Sequence, residues 1–134
     1  MYLVDTNIFL EIMLSQTRSK DCKTLLNMIK NGDIKAIVTD FSIYSIMLIM
    51  SNSLKIKELK VFLSSLSAYK GLTIYHSKLA DMLMAVEIME KEGLDVDDAI
   101  QYSAAIVLGA NAIISFDKHF DSLKIPRLEP AQLI

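Results

Sequence analysis

Cysteine occurs once in this chain, at Cys22, so an internal disulfide framework is impossible and a reducing compartment suits the protein. Cys22 falls in an apolar series with Leu25, Leu26 and Ile29, which places it in a core rather than at a nucleophilic site. Glycine is equally sparse: its four occurrences stand singly at the ends of helical segments, so no glycine-rich phosphate loop exists. No Pro- or Gly-rich linker, internal repeat or low-complexity tract interrupts the chain. Histidine appears only as His76 and His119, in no zinc-ligand spacing and without a Ser-His-Asp set. A basic surplus is missing too. The net charge is −2 and the pI about 5.6, which argues against tight, nonspecific binding of long duplexes. It leaves open a site whose bound metal ions neutralise a phosphate, since such ions are the largest local charges there. Even the longest apolar runs, Ile46 to Met50 among them, are far short of the ~20 residues a membrane span needs. Residues 2–4 already read as a strand, so no signal peptide is expected ahead of the fold. The expected setting is cytoplasmic, with no membrane.

What is present reads as one domain over residues 1–134, long enough to bury about 68% of its unfolded surface without metal or disulfide staples. Hydrophobic residues make up 52% of the chain, enough to argue against disorder. Tyr2–Val4 reads as a strand, followed by helices over Ile8–Leu14 and Arg18–Lys30, the second closed by Asn31-Gly32. Ile34–Thr39 is a mostly apolar strand of the kind buried on both faces, and a helix covers Phe41–Ser51. Leu59, Phe62, Leu63 and Leu66 recur at helical spacing, Gly71 ends that segment, and Leu72–Tyr75 is a third strand. Leu79, Met82, Leu83 and Val86 mark a long helix stopping near Gly93. Asp98–Leu108 is another helix, Ala112–Ser115 a strand and Ile125–Leu128 an edge strand. Such alternation implies an α/β fold, a three-layer α/β/α sandwich with a central parallel sheet.

Ligands of such sheets bind at the carboxyl ends of the strands. Asp5 and Asp117 directly follow strands in MYLVDTN and AIISFD. Asp98 reaches the same edge by another route. Its helix leads through Gly109-Ala110-Asn111 into the strand at 112–115, so helix and strand run antiparallel and the helix N-terminus returns to that edge. Each aspartate has a structural explanation as well. Asp5 suits a helix cap or Asx turn, Asp98 has the capping-box spacing to Gln101, and Asp117 can shape the turn into Lys118-His119-Phe120. Unrelated caps need not gather at one edge, however, and clustered carboxylates repel unless a cation joins them. Hard oxygen ligands point to Mg²⁺ or Mn²⁺. His119 is close enough in sequence to Asp117 to touch a phosphate, although a solvated loop position explains it equally. His76 reads as a surface or strand-end residue.

The segments MYLVDTNIFLEIM, DDAIQYSAAIVLGANAIISFDKHF and the closing IPRLEP together resemble a PIN domain of the VapC toxin type, from the first residues almost to the last. The resemblance implies a central parallel sheet in an α/β/α fold. It also implies a metal-dependent endoribonuclease that hydrolyses RNA with metal-activated water to 3′-hydroxyl and 5′-phosphate ends. On it, Asp5, Asp98 and Asp117 match three of four acidic metal ligands, while Asn7 and Ser115 match the polar residues that orient them. The fourth acid, a glutamate early in the helix after the second strand, falls at Ser45 here. Asp40 at the end of strand two is the best stand-in by position, though a strand-end cap explains it too. Glu11 is a weaker candidate, and Asp97 would point elsewhere once the helix begins. A site lacking that acid holds one metal ion with water completing the shell and positions a second ion or the water less securely, which implies attenuated cleavage.

The alternative from another class is an inactive PIN module that binds RNA or a protein partner. A haloacid-dehalogenase-like phosphatase fits less well, because it wants a second aspartate where Asn7 stands. The stretch Phe41–Met50 is apolar apart from Ser42 and Ser45, more than one buried helix face requires. It suits either a helix packed between sheet and neighbour or an oligomer interface built on Ile46, Met47 and Met50. The resemblance favours the interface, since proteins of that type form homodimers and bind an antitoxin. Lys55, Lys57 and Lys60 form a small basic cluster, either an RNA guide or a solvated helix face.

Overall fold

The computed structural model describes all 134 residues. Strands β1 (Tyr2–Val4), β2 (Ala36–Thr39), β3 (Leu72–Tyr75), β4 (Ala112–Ile114) and β5 (Arg127–Leu128) form one parallel sheet in the order β3-β2-β1-β4-β5. Six helices cover it: α1 (Thr6–Met13), α2 (Ser19–Asn31), α3 (Asp40–Asn52), α4 (Ile56–Leu66), α5 (Leu79–Glu92) and α6 (Val96–Leu108). Alternation along the short strands divides the core into two layers. Val4 and Ile114 pack with Ile8, Phe9, Leu25, Ile29, Ile46 and Met50 from α1, α2 and α3. Leu3 and Ile113 point the other way, onto Ala85, Ile88, Ala99, Tyr102 and Ala105 from α5 and α6. The architecture is the α/β/α sandwich expected from the sequence, and Cys22 is wholly buried in the first layer.

Two glycines do what other residues would not. Gly32 closes α2 at φ 89°, a left-handed conformation that the Asn31-Gly32 pair signals in the sequence. Gly71 packs against the start of β2 so closely that a Cβ there would lie 2.2 Å from the Ile34 carbonyl oxygen and 2.7 Å from that of Ile29.

Two helices turn different faces inward than their apolar patterns suggest. In α5, Ala85 and Ile88 are buried, whereas Leu79 and Leu83 of the apolar series are 81% and 62% exposed, with Met82 and Val86 exposed beside them. In α3, Ile46 and Met50 are fully buried in the core and so are not available as interface residues. Its exposed apolar residues are Tyr44, Leu48 and Ile49. A helix apolar on most sides carries no sequence signal for which side meets the sheet, and the strand it follows decides.

Strand order reverses beside β1: β2 and β3 extend to one side of it and β4 and β5 to the other. Crossovers leaving in opposite directions open a crevice outside the carboxyl ends of β1 and β4, the place where open α/β sheets bind ligands.

Candidate active site

Asp5 leaves β1 at this crevice and caps α1, its Oδ1 accepting from the Thr6 N–H at 2.7 Å. Its Oδ2 accepts from the Ser115 hydroxyl at 2.5 Å, and the same hydroxyl oxygen accepts from the Asp117 N–H at 2.9 Å. Ser115 thus ties the ends of the two neighbouring strands together. Arg127, which the sequence reading passed over, donates to the Ser115 carbonyl at 3.0 Å and is held in turn by Asp121 and Glu129. Asp117 caps a 3-10 turn at Lys118–Phe120 by accepting from the His119 N–H.

Asp98 is not a helix cap. Asp95 caps α6, accepting from the Asp98 N–H at 3.0 Å, and Asp98 lies buried in the first turn with its carboxylate on the crevice wall. Nor is Gln101 a capping partner. It is fully buried, with its amide nitrogen donating to the hydroxyls of Ser42 and Thr6 and its amide oxygen accepting from Thr39 at 3.2 Å. Ser42 also bonds to Thr6 at 2.8 Å, so the network joins β2, α1, α3 and α6 beneath the carboxylates. A buried polar group without such partners costs about 1–3 kcal/mol, so the network selects one arrangement of these four elements.

The crevice is a cavity of 260 Å³ lined by Asp5, Thr6, Asn7, Leu10, Ser45, Ile49, Asp97, Asp98 and Asp117. Ser45 therefore stands on its wall. Asp97 also reaches this wall rather than pointing away, because the helix begins two residues earlier than Asp98 and both side chains fall in its first turn. Asp40 does not substitute for the missing acid. Its carboxylate accepts from the N–H and hydroxyl of Ser77, binding the start of α3 to the segment after β3 in a separate cavity. Glu11 is likewise committed elsewhere, accepting from the Arg18 N–H and guanidinium. His76 is exposed at the strand end, as expected.

Burial pushes the Asp5 carboxyl up to about 6, against the hydrogen bond from Ser115, and the nearby Asp97 and Asp117 charges raise it further. Burial also lifts Asp98 to about 6, with Asp117 and Asp95 adding to the effect. Asp97 is raised by lost hydration and by Asp95 and Asp117. His119 is more than a loop residue: its Nδ1 lies 3.2 Å from Asp98 Oδ2 and 3.1 Å from Asp117 Oδ1, and the two carboxylates raise the imidazole pKa. Asn7 lines the same crevice, yet its Oδ1 is buried without a hydrogen-bond partner. It does not hold the aspartates by hydrogen bonds. Carboxylates whose charge is resisted, next to an orphaned carbonyl oxygen, are a donor set suited to a hard divalent cation.

Fold and crevice together define a class: open parallel α/β proteins that gather carboxylates at a strand-order reversal. The sequence profile of the PIN domain matches residues 2–126, and the chain belongs to the PIN domain family. Among solved structures, its fold is similar to that of a toxin-antitoxin complex from Klebsiella pneumoniae, with 18% identity over 97% of this chain and 98% of the other and a TM-score of 0.73. It is also similar to Mycobacterium tuberculosis VapC20, described as a sarcin-ricin loop cleaving toxin, with 12% identity over 97% and 100% of the two chains and a TM-score of 0.79. VapBC2 from Rickettsia felis, solved bound to a DNA fragment of its promoter, shares 18% identity over 96% of each chain with a TM-score of 0.68. No curated protein sequence matches the chain. No helix is long and apolar enough to cross a membrane.

Proposed function

We propose that this protein is a metal-dependent endoribonuclease of the VapC toxin type, attenuated by Ser45 at the position of the usual glutamate. The observation that carries the reading is the meeting of Asp5, Asp97, Asp98 and Asp117 on one crevice wall at the strand-order reversal. Membership of the PIN domain family and likeness to VapC structures support it. When bound, Mg²⁺ or Mn²⁺ supplies a Lewis acid for the phosphodiester oxygen and lowers the pKa of water. Asp5, Asp98 and Asp117 would hold the ion, with Asn7 and Asp97 beside them. Ser115 fixes the Asp5 carboxylate in direction, and the network around Gln101 fixes the helices that carry Asp98 and Ser45.

The test is Mn²⁺-dependent cleavage of mixed RNA oligonucleotides by the wild type and Asp98→Asn in parallel, with a chelator control. Cleavage by the wild type alone, abolished by chelator, supports the reading. Equal cleavage by both assigns the activity to a contaminant. RNA binding without cleavage favours a non-catalytic PIN module, the reading that Ser45 on the crevice wall motivates.

We further propose a homodimer, and an antitoxin protein as partner, the latter by analogy with the toxin-antitoxin complexes of similar fold. The dimer surface is the exposed apolar strip of Tyr44, Leu48 and Ile49 on α3 with Met82, Leu83 and Val86 on α5. Tyr44 and Met82 line one cavity and so make the strip continuous between the helices. Sedimentation should give a dimer for the wild type and a monomer for Leu83→Lys; a monomeric wild type defeats the assignment.

A further inference from the structure

Asp98, Asp117 and His119 bring one ligand atom each to within 4.8 Å of the others, and Asp5 is not in this group. Both Asp5 oxygens are engaged, by Thr6 and Ser115, whereas Asp117 has only its Oδ1 engaged, by the His119 N–H. The closest gathering of donors is therefore not the three aspartates but two aspartates and an imidazole. The separations carry geometric information. Two neighbouring donors on an octahedral ion, each about 2.1 Å from it, lie about 3 Å apart. His119 Nδ1 lies 3.2 Å from Asp98 Oδ2 and 3.1 Å from Asp117 Oδ1, so it already stands at such a spacing from both.

The chain holds the turn that carries His119. Asp117 accepts from the His119 backbone N–H at 2.9 Å, and Phe120, the next residue, is fully buried in the second core layer. The turn is pinned on both sides, and from it the 70% exposed imidazole reaches both carboxylates. Asp98 belongs to the walls of two adjoining cavities, the acidic crevice and an outer one that His119 also lines. His119 thus reaches the carboxylates from the outer cavity, while Ser45 lines the inner crevice.

We propose that His119 is a metal ligand of this protein, completing with Asp98 and Asp117 a mixed nitrogen and oxygen site that offsets the missing acid at position 45. The proposal rests on the reading of the crevice as a metal centre and names a donor that reading does not contain. Its consequence is selectivity. Mg²⁺ takes oxygen ligands and retains water, whereas imidazole suits the transition metals, so the site prefers Mn²⁺ to Mg²⁺.

The geometry alone is shared by a different arrangement, in which a protonated His119 pairs with the aspartates and competes with the cation. Binding measurements separate the two. Calorimetric titration of Mn²⁺ and of Mg²⁺ into the wild type, His119→Ala and Asp98→Asn proteins is the test, with pulsed EPR of the Mn²⁺ complexes as a second readout. The expected result is Mn²⁺ affinity at least about tenfold weaker in His119→Ala, since even outer-shell changes reach 10–100-fold. Mg²⁺ affinity should change much less, and the wild-type Mn²⁺ signal should carry ¹⁴N modulation from a bound imidazole that the variant lacks. Affinity unchanged or increased in His119→Ala, with no ¹⁴N modulation in the wild type and binding still lost in Asp98→Asn, overturns the proposal and leaves the metal centre standing. Absence of Mn²⁺ binding by the wild type, or full binding by Asp98→Asn, overturns both. His119 is exposed, so an unchanged far-ultraviolet dichroism spectrum of His119→Ala will show that the fold is retained.

Discussion

Asp5→Asn should raise the melting temperature of the metal-free protein at pH 7 while lowering RNA cleavage by at least about 100-fold, the loss typical of removing one preorganised electrostatic group. The stability gain follows from the sign of the pKa shift. Burial holds the Asp5 carboxyl at about 6 in the folded protein, against 3.8 when it is free. Between these values the folded state keeps a proton that the unfolded state releases, so stability falls as pH rises. The stability is fully present below about pH 4 and is lost as pH rises through about 6. A shift of two units corresponds to about 3 kcal/mol, an upper figure for a group whose surroundings relax. For a domain of this length that is on the order of 5–10 °C. Asparagine still caps α1 and its amide can face Ser115, so the charge is removed with little loss of bonding. Thermal melts of both proteins at pH 4.5 and pH 7 read the effect: the difference should be small at the lower pH and large at the higher. Equal melting temperatures at pH 7 would defeat the claim that Asp5 is charged at a cost. Added Mn²⁺ should stabilise the wild type more than the variant, by preferential binding to the folded state.

Ser45→Glu should act in the opposite direction on function. Ser45 stands on the crevice wall one helical turn from Ile49, at the position where the family resemblance places an acid. A carboxylate there adds a hard oxygen donor to the crevice that Asp98 and Asp117 line, and cation affinity rises with the number of charged ligands. The expected gain is about tenfold in Mn²⁺ affinity, with a rise in metal-dependent cleavage of similar size. Without metal the same substitution adds a charge to a cluster that already resists ionisation, and the melting temperature should fall at pH 7. Calorimetry and cleavage of the same oligonucleotides measure both arms. Metal affinity equal to the wild type would mean that a side chain at 45 does not reach the ion, and the account of attenuation would fail with it.

Much of the site is legible in the sequence because it sits where chain direction changes. Asp5 and Asp117 follow apolar strands, and the short turn after α6 obliges the start of that helix to return to the same edge. The sequence does not mark Asp95 as the cap that starts α6, so it gives no sign that Asp97 faces the crevice. A helix beginning earlier rotates both Asp97 and Asp98 into its first turn, and one residue of error is 100° of helix face. Gln101 was misread for the same reason: its spacing from Asp98 suits a capping box, but its partners come from three other elements. His119 could have been found from its place two residues beyond Asp117, where a turn doubles the chain back on the preceding carboxylate.

The sequence alone determined the order of helices and strands, the parallel sheet and the edge at which three aspartates emerge. Periodicity, helix stops and strand-end position are local properties, each written within a few residues. Tertiary structure decided which face of α3 and α5 turns inward, how Thr6, Thr39, Ser42 and Gln101 close one network, and that the His119 imidazole, not Asp5, gathers with the carboxylates of Asp98 and Asp117. Those outcomes depend on contacts between residues as far apart as Thr6 and Gln101. Only the packing of four elements on a twisted sheet brings such residues together.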